Sequence, residues 1–242
     1  MCGRYASTSS PDQLAIAFDA VDGTGDAESG EAPPPDYNVA PTKPVYAVRS
    51  TSRERRLDVY SWGLVPSWAR DRSGAGRLLN ARAETLTTKP AFRSAFARRR
   101  CLVPADGWYE WTPHPHGPGK QPYFLTPADG SVLAFAGLWE SWGSGGDRFV
   151  TCTVVTTAAQ GALADVHDRM PLVLPPDRWA QWLGESGDAS PEDLLAPTPP
   201  EVVAALEVRP VGPLVGNVKN NGPELITARY SSRDTAPIST LF

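Results

Sequence analysis

The chemistry of this chain centres on its second residue, because Cys2 directly follows the initiator Met1. A residue this small normally allows the initiator methionine to be removed, and the new N-terminus would then carry an α-amine and a thiol on one residue. Their reference pKa values are about 7.7–8.0 and about 8.5, so both groups are partly nucleophilic at neutral pH. The sequence therefore predicts a 1,2-aminothiol, although a cysteine near a terminus can also be an unreactive small residue.

Two further side chains could move protons. Glu110 lies within the aromatic segment 107–111, where burial would raise the pKa of its carboxyl toward neutrality. His167 is flanked by Asp168 and Arg169, and a neutral imidazole there could act as a general acid or base. Each has a structural alternative, because strand alternation could turn Glu110 to solvent and His167 could be a satisfied structural histidine.

A polar set and a rigid aromatic segment complete the candidate site. Asn80, Arg82 and Glu84 alternate, so they would share one face of an extended strand and form either a polar site or a salt-bridged edge. The segment 62–69 has proline and glycine in a pattern of neither helix nor regular strand, and it presents two indoles. Segment 37–42 is predicted to be extended.

No metal or cofactor site is predicted. His114 and His116 lie in a turn-rich loop, and no Cys-x-x-Cys or His-x-x-x-His spacing accompanies them.

Charge is distributed unevenly along the chain. The net charge is −4, yet residues 49–100 contain 13 Lys and Arg against 4 Asp and Glu, which leaves 10 against 23 elsewhere. Such a block predicts one positive face for an anionic partner, and a solvated surface is the alternative.

Length and composition indicate a folded protein of 242 residues with 41% hydrophobic residues. No run approaches the roughly 18 apolar residues of a membrane span, and no signal segment precedes the first motif, so we expect a cytoplasmic protein that does not bind membranes. Three cysteines fit a reducing compartment rather than a disulfide framework.

We expect one α+β domain over residues 1–242, with a mainly antiparallel, twisted or barrel-like sheet and peripheral helices. Ser10-Pro11 begins a helix whose apolar stripe is Leu14, Phe18 and Val21, and residues 22–36 form a variable surface loop. Further predicted elements are strands at 45–49, 57–62, 102–111, 123–126, 132–140 and 149–157, helices at 90–99 and from 175, a short helix after 200, and a tail at 227–242.

These motifs, in this order, resemble the SRAP (SOS-response-associated peptidase) family. The resemblance covers residues 2 to about 226 and excludes the 22–36 loop and the tail. It rests on segments 1–4 (MCGR), 37–42 (YNVAPT), 62–68 (WGLVPSW), 80–85 (NARAET), 100–111 (RCLVPADGWYEW), 137–140 (GLWE), 167–171 (HDRMP) and 218–225 (VKNNGPEL).

The resemblance implies a protein that senses abasic sites in single-stranded DNA and cross-links itself to them. We expect this protein to be a monomer. Cys2 would be the nucleophile and close a thiazolidine ring on the sugar aldehyde, Asn80 would hold the cysteine, Glu110 would move protons and His167 would assist. The family's peptidase label fits removal of Met1 by the protein itself. The DNA-binding set implied is Arg4, Asn38, Pro41, Trp68 and Arg82, with the arginines on phosphates and Pro41 and Trp68 wedged against flanking bases.

Two other functions remain open. An N-terminal-nucleophile amidohydrolase also uses a terminal cysteine whose amine serves as its base, and ammonia release from glutamine would reveal it. A non-catalytic single-strand-binding module would use the arginines and tryptophans alone, and it would form no heat-stable adduct with DNA.

Overall fold

The computed structural model describes residues 3–26, 29–114, 118–187 and 189–229. The strands in these ranges are β1 (Tyr5–Ser7), β2 (Ala20–Asp22), β3 (Asp36–Val39), β4 (Pro44–Ser50), β5 (Arg55–Trp62), β6 (Asn80–Arg82), β7 (Arg100–Ala105), β8 (Gly107–Pro113), β9 (Lys120–Pro127), β10 (Leu133–Trp142), β11 (Phe149–Ala158), β12 (Arg169–Pro171) and β13 (Leu206–Pro210). The α-helices are α1 (Pro11–Phe18), α2 (Arg93–Arg98), α3 (Trp179–Leu183), α4 (Pro191–Leu194) and α5 (Pro200–Ala204).

Strands β4, β5, β7, β10 and β11 close into a barrel. The pairs β4–β5, β4–β7, β7–β10 and β10–β11 are antiparallel. The last pair, β11–β5, is parallel, with Thr151 opposite Ser61 and Cys152 opposite Trp62. The expected α+β fold with a barrel-like sheet is confirmed.

Both faces of the barrel strands are buried. In β4, Val45 and Ala47 belong to one apolar cluster and the alternate residues Tyr46 and Val48 belong to another. Helices cover the second cluster, where the ring of Phe18 from α1 stacks on Trp179 of α3 at a centroid distance of 4.6 Å. This double coverage explains why the strands contain apolar runs rather than a strict alternation.

A second sheet, in the order β13-β9-β8-β1-β3, shares the first cluster with the barrel. The ring of Tyr5 in β1 meets Trp62 edge-on at 5.2 Å and Phe135 at 6.1 Å. Trp108 in β8 meets the same Phe135 at 6.0 Å. Tyr5, the third described residue, therefore anchors the beginning of the chain in the core.

The predicted first helix is confirmed at its start and is too long at its end. Ser10 accepts the backbone N–H of Gln13 and the Gln13 side chain accepts the N–H of Ser10, which forms a capping box. The helix ends at Phe18 because Asp19 adopts a left-handed conformation (φ 49°), and Val21 lies in β2 with 46% of its surface exposed.

The predicted strand 102–111 is two strands that belong to different sheets. The chain turns at Asp106, whose backbone N–H donates to Ala6 and whose carboxylate accepts the N–H and hydroxyl of Thr8. The helix expected at 90–99 is shorter, Arg93–Arg98, and Phe92 and Phe96 are buried. The helix expected from residue 175 begins as a 3-10 turn, Pro176–Arg178, and Trp179 and Leu183 pack inward. Among the described residues, no helix has the length and apolar content that crossing a bilayer requires.

Replacing Gly63 with alanine should destabilise the fold by about 1 to 3 kcal/mol, the usual scale for a strained backbone conformation. Gly63 has φ +131°, and an added Cβ would lie 2.5 Å from the backbone oxygen of Ala75. Urea unfolding of Gly63→Ala should show a lower midpoint with an unchanged slope. Gly76→Ala is the matched control, since an added Cβ there meets nothing within 4 Å, and equal midpoints for the two variants would show that position 63 carries no such strain.

Candidate active site

Glu110 is buried in the middle of β8. Its exposed fraction is 2%, and its strand neighbours Trp108 and Tyr109 are also buried. β8 lies between β1 and β9, with Tyr123 opposite Glu110. The prediction of a carboxyl buried among aromatic rings is confirmed, and the alternative of a solvent-facing Glu110 is wrong.

His167 is the histidine next to this carboxylate. Its backbone N–H donates to Leu163, which places it directly after the 3-10 helix Gly161–Asp165, and its Nε2 lies 3.9 Å from Oε2 of Glu110. Its Nδ1 accepts the backbone N–H of Arg169 at 2.9 Å. The same Nδ1 is 2.9 Å from Oδ1 of the exposed Asp168 carboxylate.

Glu84 does not share an extended face with Asn80 and Arg82, because β6 ends at Arg82 and Ala83–Thr85 forms a 3-10 turn. The turn directs Glu84 to Arg169, with an oxygen-to-nitrogen distance of 2.6 Å. Hydrogen bonding from Arg169 lowers the pKa of Glu84. The expected polar cluster is therefore divided, and Glu84 pairs with Arg169 at the start of β12, the strand that follows His167.

Asn80 is held in position by hydrogen bonds to the preceding residue, Leu79. The Leu79 carbonyl accepts three hydrogen bonds, from Trp62 Nε1 at 3.0 Å, Thr153 Oγ1 at 2.9 Å and the Val154 N–H at 3.0 Å. The Trp62 ring is the one that contacts Tyr5. A chain of contacts thus connects Asn80 to the N-terminal strand.

Cys2 lies outside the described residues. The chain from Gly3 onward runs antiparallel to β8: Tyr5 is opposite Trp108, and the Arg4 carbonyl accepts the Tyr109 N–H at 3.0 Å. The described part of the N-terminus therefore approaches the segment of β8 that contains Glu110.

The other two cysteines cannot be the nucleophile. Cys101 and Cys152 are fully buried in the barrel. Burial raises the pKa of the Cys101 thiol well above its ordinary value and that of Cys152 to about 12. Because a thiol attacks as its thiolate, both are inert at neutral pH.

The residues assigned to DNA binding occupy different environments. Trp68 is 68% exposed, Arg82 is exposed and Pro41 is partly exposed. Arg4 is half-buried: its Nη1 donates to Asn38 Oδ1 at 2.6 Å and to the Val215 carbonyl at 3.0 Å, and burial lowers its pKa.

Asn38 is fully buried and has no surface that a DNA strand could reach. Its Nδ2 contacts the carbonyls of Val215, Asn217 and Asn220 at 3.3, 3.0 and 3.0 Å. This favours positioning of Arg4 and of segment 213–221 over a direct DNA contact. The sequence alone does not connect segment 213–221 to β3. The asparagines of this segment, at positions 217, 220 and 221, are the residues that could have indicated such a contact.

No group of three or more His, Cys, Asp or Glu side chains that could hold a metal ion occurs within the described ranges. His114 is exposed, and His116 lies outside them.

With this geometry established, comparison with known proteins decides the family. The family model described as SOS response associated peptidase (SRAP) matches residues 1–218. The chain belongs to the SRAP family. It is similar to abasic site processing protein YoaM of Bacillus subtilis (strain 168), with 37% identity over 94% of this chain and 98% of that protein. It is similar to abasic site processing protein YedK of Escherichia coli (strain K12), with 34% identity over 93% of this chain and 99% of that protein.

Solved structures support the fold of this SRAP chain. An X-ray crystal structure of a Bacteroides thetaiotaomicron protein superposes with a TM-score of 0.78, at 23% identity, over 95% of this chain and all of that one. At this identity the likeness establishes the fold alone.

Part of the basic block of this SRAP protein is paired within the fold. Four of its arginines are committed to carboxylates within the fold, at nitrogen-to-oxygen distances of 2.7 to 2.8 Å. The pairs are Arg49–Asp58, Arg55–Glu185, Arg56–Asp58 and Arg99–Glu140. The local charge excess therefore overstates the charge that an anionic partner can meet.

Asn38→Ala in this SRAP protein should lower the free energy of unfolding by about 1 to 3 kcal/mol, the usual cost of leaving buried polar groups unsatisfied. Three carbonyls and the Arg4 guanidinium lose their partner. Hydrogen exchange of segment 213–221 should accelerate in the same variant. An Asn38→Ala protein with wild-type stability and exchange, but weaker DNA binding, would show instead that the amide contacts DNA.

Proposed function

We propose that this chain processes abasic sites in DNA. The observation that carries the proposal is its similarity, over more than nine-tenths of its length, to YoaM and YedK, both named abasic site processing proteins. The arrangement of a buried carboxylate, a histidine and the approaching N-terminus supports a specific route. In this route the processed N-terminal Cys2 forms a covalent cross-link to the lesion in single-stranded DNA.

The proposed chemistry needs only the aminothiol and the open-chain sugar of an abasic site. The α-amine of Cys2 attacks the aldehyde carbon, and loss of one water gives an imine. The thiol sulfur then adds to the same carbon, its proton passes to the nitrogen, and a five-membered thiazolidine ring results. Ring closures between groups held together reach effective molarities of about 10⁵–10⁸ M, so a positioned aminothiol would form the ring efficiently.

Glu110 and His167 are the proposed proton carriers. Opening of the sugar requires a proton on the ring oxygen, and imine formation requires one on the departing hydroxyl. A buried carboxyl with Nε2 of His167 at 3.9 Å would deliver and recover these protons without bulk water. Asn80, fixed through Leu79, would hold the cysteine.

The exposed residues support a single-stranded partner. Stacking of a base on an aromatic ring contributes about 1 to 3 kcal/mol, and Trp68 offers such a ring. Pro41 would act beside it as a second wedge. Arg82 and Arg4 would hold phosphates, with Arg4 fixed in place by Asn38. We further propose that the protein acts as a cytoplasmic monomer.

The decisive variant keeps Cys2 but blocks its amine with an N-terminal extension that cannot be removed. Single-stranded DNA containing uracil, treated with a uracil glycosylase, should give a heat-stable adduct on denaturing electrophoresis with the processed protein and none with the blocked one. The blocked thiol can form only a hemithioacetal, which does not survive heating. Cys2→Ala retains the amine, so its adduct should be reversible and trappable with borohydride. A stable cross-link from the blocked protein would refute the thiazolidine route.

Glu110→Gln should slow single-turnover cross-linking by about 10²- to 10⁴-fold, the usual contribution of a general acid or base. Glutamine preserves the size and hydrogen bonding of Glu110 but cannot exchange a proton at neutral pH. His167→Ala should slow the reaction as well, and by less. An unchanged rate in a folded Glu110→Gln protein would assign this carboxylate a structural role.

Binding to intact single-stranded DNA should weaken with salt by a slope of about −0.7 per phosphate neutralised. Arg82→Gln should reduce the magnitude of the slope by about 0.7, the contribution of one phosphate, because Arg82 is exposed. Arg55→Gln is the matched control, since Arg55 is paired with Glu185 at 2.8 Å. A slope that does not respond to Arg82→Gln, or that responds equally to Arg55→Gln, would contradict this assignment.

A further inference from the structure

The loop that presents Trp68 is fastened to the tip of the hairpin between β10 and β11. Trp142 ends β10, and its Nε1 donates to the carbonyl of Ala69 at 2.7 Å. Ala69 directly follows Trp68, and its own N–H donates to Pro66 at 2.9 Å. The backbone on both sides of the exposed indole is therefore hydrogen-bonded.

A second tether lies a few residues further along the same loop. The guanidinium carbon of Arg72 is 5.0 Å from the centroid of the Trp142 ring and 4.4 Å from that of Phe149, which begins β11. Its Nη2 donates to the backbone carbonyl of Asp147 in the hairpin turn at 3.0 Å. Contact of a guanidinium with aromatic faces is a favourable cation–π arrangement.

These contacts distinguish Arg72 from the four arginines of the block that are paired with carboxylates. Arg49, Arg55, Arg56 and Arg99 each face a carboxylate, whereas Arg72 contacts two aromatic rings and a carbonyl. Its positive charge is retained, but its ring contacts and its hydrogen bond are directed toward the hairpin. The geometry thus indicates a role within the protein rather than on a phosphate.

We propose that Arg72, Trp142 and Phe149 form a clamp that holds the 66–74 loop so that Trp68 is presented to single-stranded DNA in one position. Arg72 is a positioning residue in this clamp and acts through Trp68. Without the clamp, the exposed side chain on this irregular loop would lose conformational freedom when it binds DNA. The clamp lowers this entropic cost of binding because the loop is already held in place in the free protein. The inference rests on the proposed function, because it assumes that Trp68 stacks on a base.

The test is a double-mutant cycle on binding of a fluorescent single-stranded oligonucleotide without abasic sites, measured by anisotropy over a series of salt concentrations. We expect Arg72→Gln to weaken binding by about threefold to tenfold, in the range of a lost cation–π contact, with the salt slope unchanged. In a Trp68→Ala background the same substitution should have no further effect. Trp142→Phe keeps a ring but loses the N–H to Ala69, and it should also weaken binding only when Trp68 is present.

Arg70→Gln is the matched control, because it removes the same charge from the same exposed loop without touching the clamp. A drop of about 0.7 in the salt slope for Arg72→Gln would identify a phosphate contact and overturn the proposal. An Arg72 effect that persists without Trp68, or that Arg70→Gln reproduces in both backgrounds, would overturn it as well. If wild-type protein did not bind the oligonucleotide but still cross-linked abasic DNA, the clamp alone would be overturned, as it would be by any of the preceding results. Failure of both binding and cross-linking would overturn the proposed function as well.

Discussion

The pairing of β1 with β8 is the constraint on which the rest of the site depends. Tyr5 fixes this short strand in the core through Trp62 and Phe135, and the Arg4 carbonyl and Tyr109 N–H extend the pairing toward the start of the chain. Asp106 locks the other end of the strand through Thr8. A terminus would normally be free to move, and here its first described residues are held against the strand that contains Glu110.

The same contacts also position other residues of the site. Trp62 meets Tyr5 and also donates to the Leu79 carbonyl, so the position of Asn80 depends on the N-terminal strand. His167 comes from a separate element and lies 3.9 Å from Glu110, and the Arg169 N–H donates to its Nδ1. Elements distant in sequence are therefore connected to β1 and β8.

The sequence predicted more of the site's composition than of its geometry. The start of α1 followed from Ser10 and Pro11, because that signal is local. The aromatic residues around Glu110 indicated burial, whereas strand alternation allowed a solvent-facing position, so the sequence left the two alternatives open. The break at Asp106 was not predictable, since it depends on hydrogen bonds to Ala6 and Thr8, nearly one hundred positions away in the chain. The turn that diverts Glu84 to Arg169 depends on an equally distant partner. The burial of Asn38 could not be predicted either, because its partners are three carbonyls of a segment that follows every barrel strand.

The central claim is that the amine and thiol of one residue both join the lesion, and peptide mass spectrometry tests it most directly. After nuclease and protease digestion of the cross-linked protein, we expect a modified N-terminal peptide that begins at Cys2 without Met1. Its mass should equal that of the peptide plus the sugar remnant, less one water. Its sulfur should not react with thiol-alkylating reagents, and its terminal nitrogen should no longer react as a primary amine. A remnant on another residue, a retained Met1, or an adduct whose thiol can still be alkylated would contradict the thiazolidine route.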